Sequence, residues 1–104
     1  MGYSTAIAHE PGSDCWTVTL RVNLTRAESN DLFLSGDSMV SWPVDGLEAT
    51  AGGDPGLERS SMFVSEIAAR TGGLALRYRE QEQGERSATI LRMQLAQIGI
   101  KEEN

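Results

Sequence analysis

The sequence predicts an α+β fold: a two-layer sandwich in which a four-stranded antiparallel sheet, with room for a fifth strand, carries two helices on one face. Three observations predict it. Apolar residues alternate with period two near both ends of the chain, turn compositions sit where each alternating stretch must reverse, and helix start and stop signals fall between the two stretches. The 104 residues, 39% of them hydrophobic, suit one domain around a single core.

Tyr3 to His9 and Trp16 to Leu24 form the expected N-terminal hairpin. In its second strand Trp16, Val18, Leu20, Val22 and Leu24 alternate with Thr17, Thr19, Arg21 and Asn23, the period of a strand with one buried face. Pro11-Gly12-Ser13-Asp14 has the composition of a turn. Closing the chain there sets His9 opposite Trp16, Ile7 opposite Val18, Thr5 opposite Leu20 and Tyr3 opposite Val22. That register collects the large apolar side chains on one face. A slip of one residue would put Ser4, Ala6 and Ala8 there instead, so burial specifies the pairing.

Thr25-Arg26-Ala27-Glu28 is a capping-box pattern, so a helix should start at Arg26, carry Leu32 and Phe33, and stop near Ser35-Gly36. A second helix is expected with Asp54 as N-cap, Pro55 at its first position, Leu57, Val64, Ile67 and Ala68 on one stripe, and Gly72-Gly73 as its stop. From Leu74 the period returns to two, with Leu74, Leu76 and Tyr78 against Ala75, Arg77 and Arg79. A turn at Gln83-Gly84 would set that strand opposite Met93, Leu91 and Thr89 and complete a second hairpin. Ser87 to Ile98 carries two signals, because Leu, Met, Gln and Ala favour helix and Leu91, Leu95 and Ile98 also fit a helical stripe. A strand to about Met93 is the reading taken, its continuation left open. Lys101 to Asn104 reads as a solvated tail.

Asp37 to Asp54 is a long loop enclosing the apolar patch Met39-Val40-Ser41-Trp42-Pro43-Val44. A loop of this length is uncommon unless it is functional or holds a short strand. Pro43 forbids a central strand, so the patch is expected to be an edge strand, a plug over the core or a contact site centred on Trp42, with Met39 and Val40 beside it.

Charge is unevenly placed. Eight acids precede Pro55 against Arg21 and Arg26 alone, whereas seven acids balance seven bases beyond it, so the net charge of -6 resides in the first half. The resulting field repels nucleic acid and anionic membrane and favours cationic protein surfaces. The cations are eight Arg and one Lys, a bias that a GC-rich genome explains. One cysteine, Cys15, excludes an internal disulfide, and with one histidine in the chain no metal site is expected. A reducing, cytoplasmic setting is the default expectation from the lone cysteine, and the start of the sequence and the absence of a run of about 18 apolar residues give no expectation of secretion or membrane insertion. Asn23-Leu24-Thr25 matches a glycosylation sequon by coincidence, and Gly52-Gly53-Asp54-Pro55-Gly56 lacks the Lys-Ser/Thr of a phosphate-binding loop.

Three constellations remain. His9, Glu10, Asp14 and Cys15 cluster at the first hairpin tip, but alternation sends the His9 ring to the apolar face and pairs Cys15 with Glu10 on the outer face, which leaves no nucleophile with a base in reach. Arg21, Arg77, Arg79 and Arg92 are expected on the outer sheet face among small residues, where they could hold an anionic group. The plainer reading is a solvated face neutralised by Glu80, Glu82 and Glu85. No aromatics interleave these arginines, so base stacking is not expected. Finally His9, Trp16, Trp42 and Tyr78 could line a pocket between sheet and helices, against the plainer role of core and plug.

The function expected from these residues is a small acidic, non-catalytic binding module that acts through protein contact. It would be a homodimer, an inhibitor or immunity-type partner of a larger basic protein, or both, with no cofactor, metal, nucleic acid or membrane. The alternative is a small-molecule-binding protein or minimal enzyme whose pocket is lined by His9, Trp16, Trp42 and Tyr78, with His9 as its proton shuttle.

Overall fold

A computed structural model describes residues 1–36, 38–48 and 59–103. The N-terminal hairpin forms β1 (Gly2–His9) and β2 (Trp16–Asn23), paired antiparallel in the register that burial specifies: His9 opposite Trp16, Ile7 opposite Val18, Thr5 opposite Leu20 and Tyr3 opposite Val22. Val18, Leu20 and Val22 are buried while Arg21 and Asn23 are exposed, so the period-two alternation is that of a half-buried strand.

Helix α1 (Arg26–Leu34) starts and stops where its signals lie. The Thr25 hydroxyl accepts from the Glu28 amide at 3.1 Å, and Glu28 Oε1 accepts from the Thr25 amide at 2.9 Å. Gly36 follows with a φ of 84°. None of the residues of α1 is buried.

The middle of the chain meets expectation in a short strand at the Met39 patch and departs from it in the second helix. Met39–Ser41 is a strand, β3, and pairs antiparallel with β5 (Ser61–Phe63) in a separate two-stranded sheet, with Val40 opposite Met62. Helix α2 (Val64–Ala69) begins only after that strand. Asp54, Pro55 and Leu57, the expected start of the second helix, lie outside the described residues, and Ser61 to Phe63 extends rather than coils because Met62 packs in the core beside Val40. The helix ends at Ala69 with Arg70 extended, ahead of the expected Gly72-Gly73 stop; the two glycines, both at positive φ, instead form the turn into β6.

The largest correction is at the C-terminal half. β6 (Leu74–Tyr78) is the strand that its alternation predicts, but its partner is β2, with Leu20 opposite Leu74, Val18 opposite Leu76 and Trp16 opposite Tyr78. Gln81–Ile98 is one continuous helix, α3, so Gln83-Gly84 is no turn and the second hairpin does not exist. The helix-favouring composition of Ser87 to Ile98 prevails because Leu91 and Leu95, four apart, reach the core together with Ala88. Gly84 is tolerated inside the helix for packing reasons: a Cβ there would stand 3.0 Å from Ile7 Cδ1.

Lys101–Glu102 is not a free tail but a short strand, β7, parallel to β1 at Gly2 and Tyr3; Asn104 lies outside the described residues. With β4 (Leu47–Glu48) on β6, the main sheet has five strands in the order β4-β6-β2-β1-β7 and is mixed rather than antiparallel. The fold is α+β with three helices among the described residues, against the two expected. The core gathers Tyr3, Val18, Leu20, Leu74, Leu76 and Tyr78 from the sheet, Ile67 from α2, Leu91 and Leu95 from α3, and Val40 and Trp42 from the former loop.

Candidate functional site

The outer side of the main sheet is built from the residues that alternate with the core. Ala8, Thr17 and Arg77 lie side by side across β1, β2 and β6, as do Ala6, Thr19 and Ala75 one step along. On this side Arg77 grips Glu10 with two hydrogen bonds, Nε to Oε1 at 2.9 Å and Nη2 to Oε2 at 2.8 Å. Thr17 Oγ1 donates to the same carboxylate at 2.6 Å and Ser13 Oγ at 3.1 Å. Four donors from three segments thus converge on one acid that sits just beyond β1. The Arg77 bonds above all, then the Thr17 hydroxyl, hold the Glu10 carboxyl at about 2, against an ordinary 4.5. The guanidinium is in turn held more firmly protonated by Glu10.

Arg79 is likewise paired, with Glu48 of the neighbouring β4. The sequence assigns these arginines to Glu80, Glu82 and Glu85; the structure gives them Glu10 and Glu48, because α3 starts immediately after β6 and carries the local acids away. Arg92 rises from α3 instead of a strand. Its Nε donates to Thr5 Oγ1 at 2.9 Å and lies 3.5 Å from Glu102. Arg21 is exposed, with no ion pair among the described residues. The four cations are therefore not one anion-binding cluster: two are neutralised in place, one stands with the helix, and one is alone.

The aromatic set also divides. His9 and Trp16 stack at the hairpin end, ring centroids 4.9 Å apart and tilted by 57°. Tyr78 is wholly buried, its hydroxyl donating to the Pro43 carbonyl at 2.8 Å and sharing a hydrogen bond with Ser87 Oγ at 2.9 Å. Burial pushes its phenol above the ordinary value. Trp42 is 3% exposed, and its Nε1 has no hydrogen-bond partner among the described residues. Cavities of about 420 and 370 Å³ lie elsewhere, around Leu24, Thr25 and Ala68 between α1, α2 and the end of β2. Both take in solvent-facing polar groups, and none of His9, Trp16, Trp42 and Tyr78 lines them. Among the described residues no group of three or more His, Cys, Asp and Glu is placed to hold a metal ion. No helix among them is long and apolar enough to cross a membrane.

A surface the sequence did not single out lies at the end of α1. Phe33 and Leu34 are 72% and 81% exposed there. Met39, already named as a contact residue, and Phe63, opposite it in the β3–β5 pair, are also exposed, at 49% and 36%. Of the three consecutive apolar residues Leu32, Phe33 and Leu34, only Leu32 packs against the core. The signal was present, for a helix turns about 100° per residue and cannot face three in a row inward. Val40, named with Met39 as a contact residue, is buried, and Val44 is exposed. No family model matches the chain, and neither a curated protein nor a solved structure matches it.

Proposed function

We propose that this chain is a small acidic binding module without catalysis of its own, acting through protein contact in the cytoplasm. It does so as a homodimer, as an inhibitor or immunity-type partner of a larger basic protein, or as both. The observation that carries the reading is the apolar end of α1, where the consecutive Phe33 and Leu34 stand 72% and 81% exposed. Large apolar side chains exposed in company mark contact surfaces more often than they mark idle ones. The net charge of -6 supplies the second half of the reading, since it draws cationic surfaces toward the molecule.

The architecture behind this proposal is a single domain in two layers, with α2 and α3 on one face of the main sheet. α1 then stands at the margin, capped at its N-terminus yet burying none of its own residues, so its apolar end can enter an interface without loss to the core.

The test is affinity capture from the source cell with the wild type and with the double variant Phe33→Ser/Leu34→Ser, at about 0.05 M and about 0.5 M salt. The expected result is a basic protein retained at low salt, released at high salt, and lost in the variant while its melting curve is unchanged. Capture that is indifferent to both salt and variant, or thermal shifts with metabolites and no protein complex, would overturn the reading.

A further inference from the structure

The open edge of β1 carries an inference about the partner. Just beyond the last ladder pair, His9 and Trp16, Glu10 N donates to Cys15 O at 3.0 Å, so the backbone N–H of Glu10 points toward the second strand. Bonded and non-bonded pairs alternate along an antiparallel ladder, so Ala8, Ala6 and Ser4 also turn their backbone groups toward β2. Tyr3, Thr5, Ile7 and His9 therefore turn theirs away from it. The Tyr3 carbonyl confirms the parity, for it accepts from Glu103 N on the side of β7. β7 pairs only with Gly2 and Tyr3, and no backbone bond to Thr5, Ile7 or His9 exists on that side among the described residues. Three residues of a regular strand thus present their N–H and C=O groups outward.

Such an edge is ordinarily blunted by a charged side chain, a proline or a bulge. Thr5-Ala6-Ile7-Ala8-His9 contains no acid, Lys, Arg or Pro, and its pairing with β2 is unbroken from Gly2 to His9. We propose that this edge is completed by the same edge of a second copy of the chain, antiparallel about a two-fold axis near Ile7, so that the main sheets of two molecules run together as one. This rests on the protein-contact reading above and names one partner.

Charge decides for a second copy over a basic segment. The edge offers no carboxylate to a cationic strand, whereas self-pairing sets Thr5, Ile7 and His9 against His9, Ile7 and Thr5 with no like charges opposed. A two-fold axis normal to the sheet keeps the apolar faces of both copies on one side, which brings the half-buried Ile7 side chains of the two molecules together.

Molar mass by light scattering through a dilution series, with residue-resolved amide exchange on the same samples, tests the proposal. The expected result is a dimer in which the Thr5, Ile7 and His9 amides exchange about tenfold or more slowly than in dilute protein. Association should strengthen from about 0.05 M to about 0.5 M salt, because screening relieves repulsion between two chains of net charge -6. A complex with a basic protein would weaken over the same range. Ala6→Lys/Ala8→Lys places ammonium groups against one another at the exposed outer side of the pairing, and it should raise the dimer dissociation constant on the order of a hundredfold. It also moves the net charge toward zero, so general repulsion cannot account for the loss. A monomer at every concentration overturns the proposal while leaving a basic partner to the capture experiment. A dimer whose Thr5, Ile7 and His9 amides stay unprotected overturns it too, and assigns the contact to another surface.

Discussion

Glu10 is one carboxylate that ties three segments together: β6 through Arg77, β2 through Thr17 and the hairpin turn through Ser13. Its folded value of about 2 lies below the ordinary 4.5, so the ionised side chain adds stability that is complete above pH 4.5 and is lost as pH falls through 4.5 toward 2. Glu10→Gln should therefore unfold at lower urea than the wild type at neutral pH, and the difference between their midpoints should close as pH approaches 2. A difference unchanged over that range would mean that the charge of Glu10 does nothing for the fold. In the sequence Glu10 was legible only as an outer-face neighbour of Cys15. Its partner Arg77 stands 67 residues away, and no local pattern encodes a contact of that separation.

At the scale of elements, glycines separate what local chemistry specifies from what packing demands. Gly72 and Gly73 both have positive φ, 83° and 77°, yet a side chain at Gly72 would meet open space while one at Gly73 would collide with the Leu20 carbonyl oxygen. Gly72→Ala should cost about 1 to 2 kcal/mol, the backbone penalty alone. Gly73→Ala should cost on the order of 3 kcal/mol or more, because β6 must shift away from β2 where Leu74 pairs with Leu20. Equal losses for the two in urea unfolding would contradict this placement of the β6 start. The sequence reads both glycines as a helix stop, whereas α2 ends at Ala69 and they shape the turn into β6; Gly84, next to Gln83, has a turn composition, and only its contact with Ile7 explains a glycine buried inside α3. The short strands β4, β5 and β7 escaped for a related reason, each being two or three residues long and so below the span over which period two can be recognised, and β3 was legible only as one alternative for the Met39 patch.

At the scale of the molecule, the core is one apolar cluster to which both hairpin-facing strands and two helices contribute. Leu20 and Leu76 are 0% exposed in it, one on β2 and the other on β6. Leu20→Ala and Leu76→Ala should each cost about 2 to 5 kcal/mol, the range for deleting a buried leucine side chain, and that is enough to unfold a marginal domain. Losses under about 1 kcal/mol in urea unfolding would mean that the cluster packs loosely enough to collapse around the deletion. The two proposed contact surfaces fall outside this cluster. One is apolar and belongs to α1; the other is an unsatisfied strand edge and belongs to β1.

The sequence by itself determined the α+β class, the first hairpin with its register, the capped helix α1 and the strand Leu74–Tyr78. Each of these depends on residues near in sequence: an alternation, a turn, a cap, a glycine stop. Only the tertiary structure decided that β6 pairs with β2, that Gln81–Ile98 is a helix lying on the sheet, that β7 lies parallel on β1 and that Arg77 belongs to Glu10. Those choices depend on which distant partner buries the most apolar surface and leaves the fewest backbone groups unpaired, a comparison made between alternatives that look equally good over any short stretch of chain.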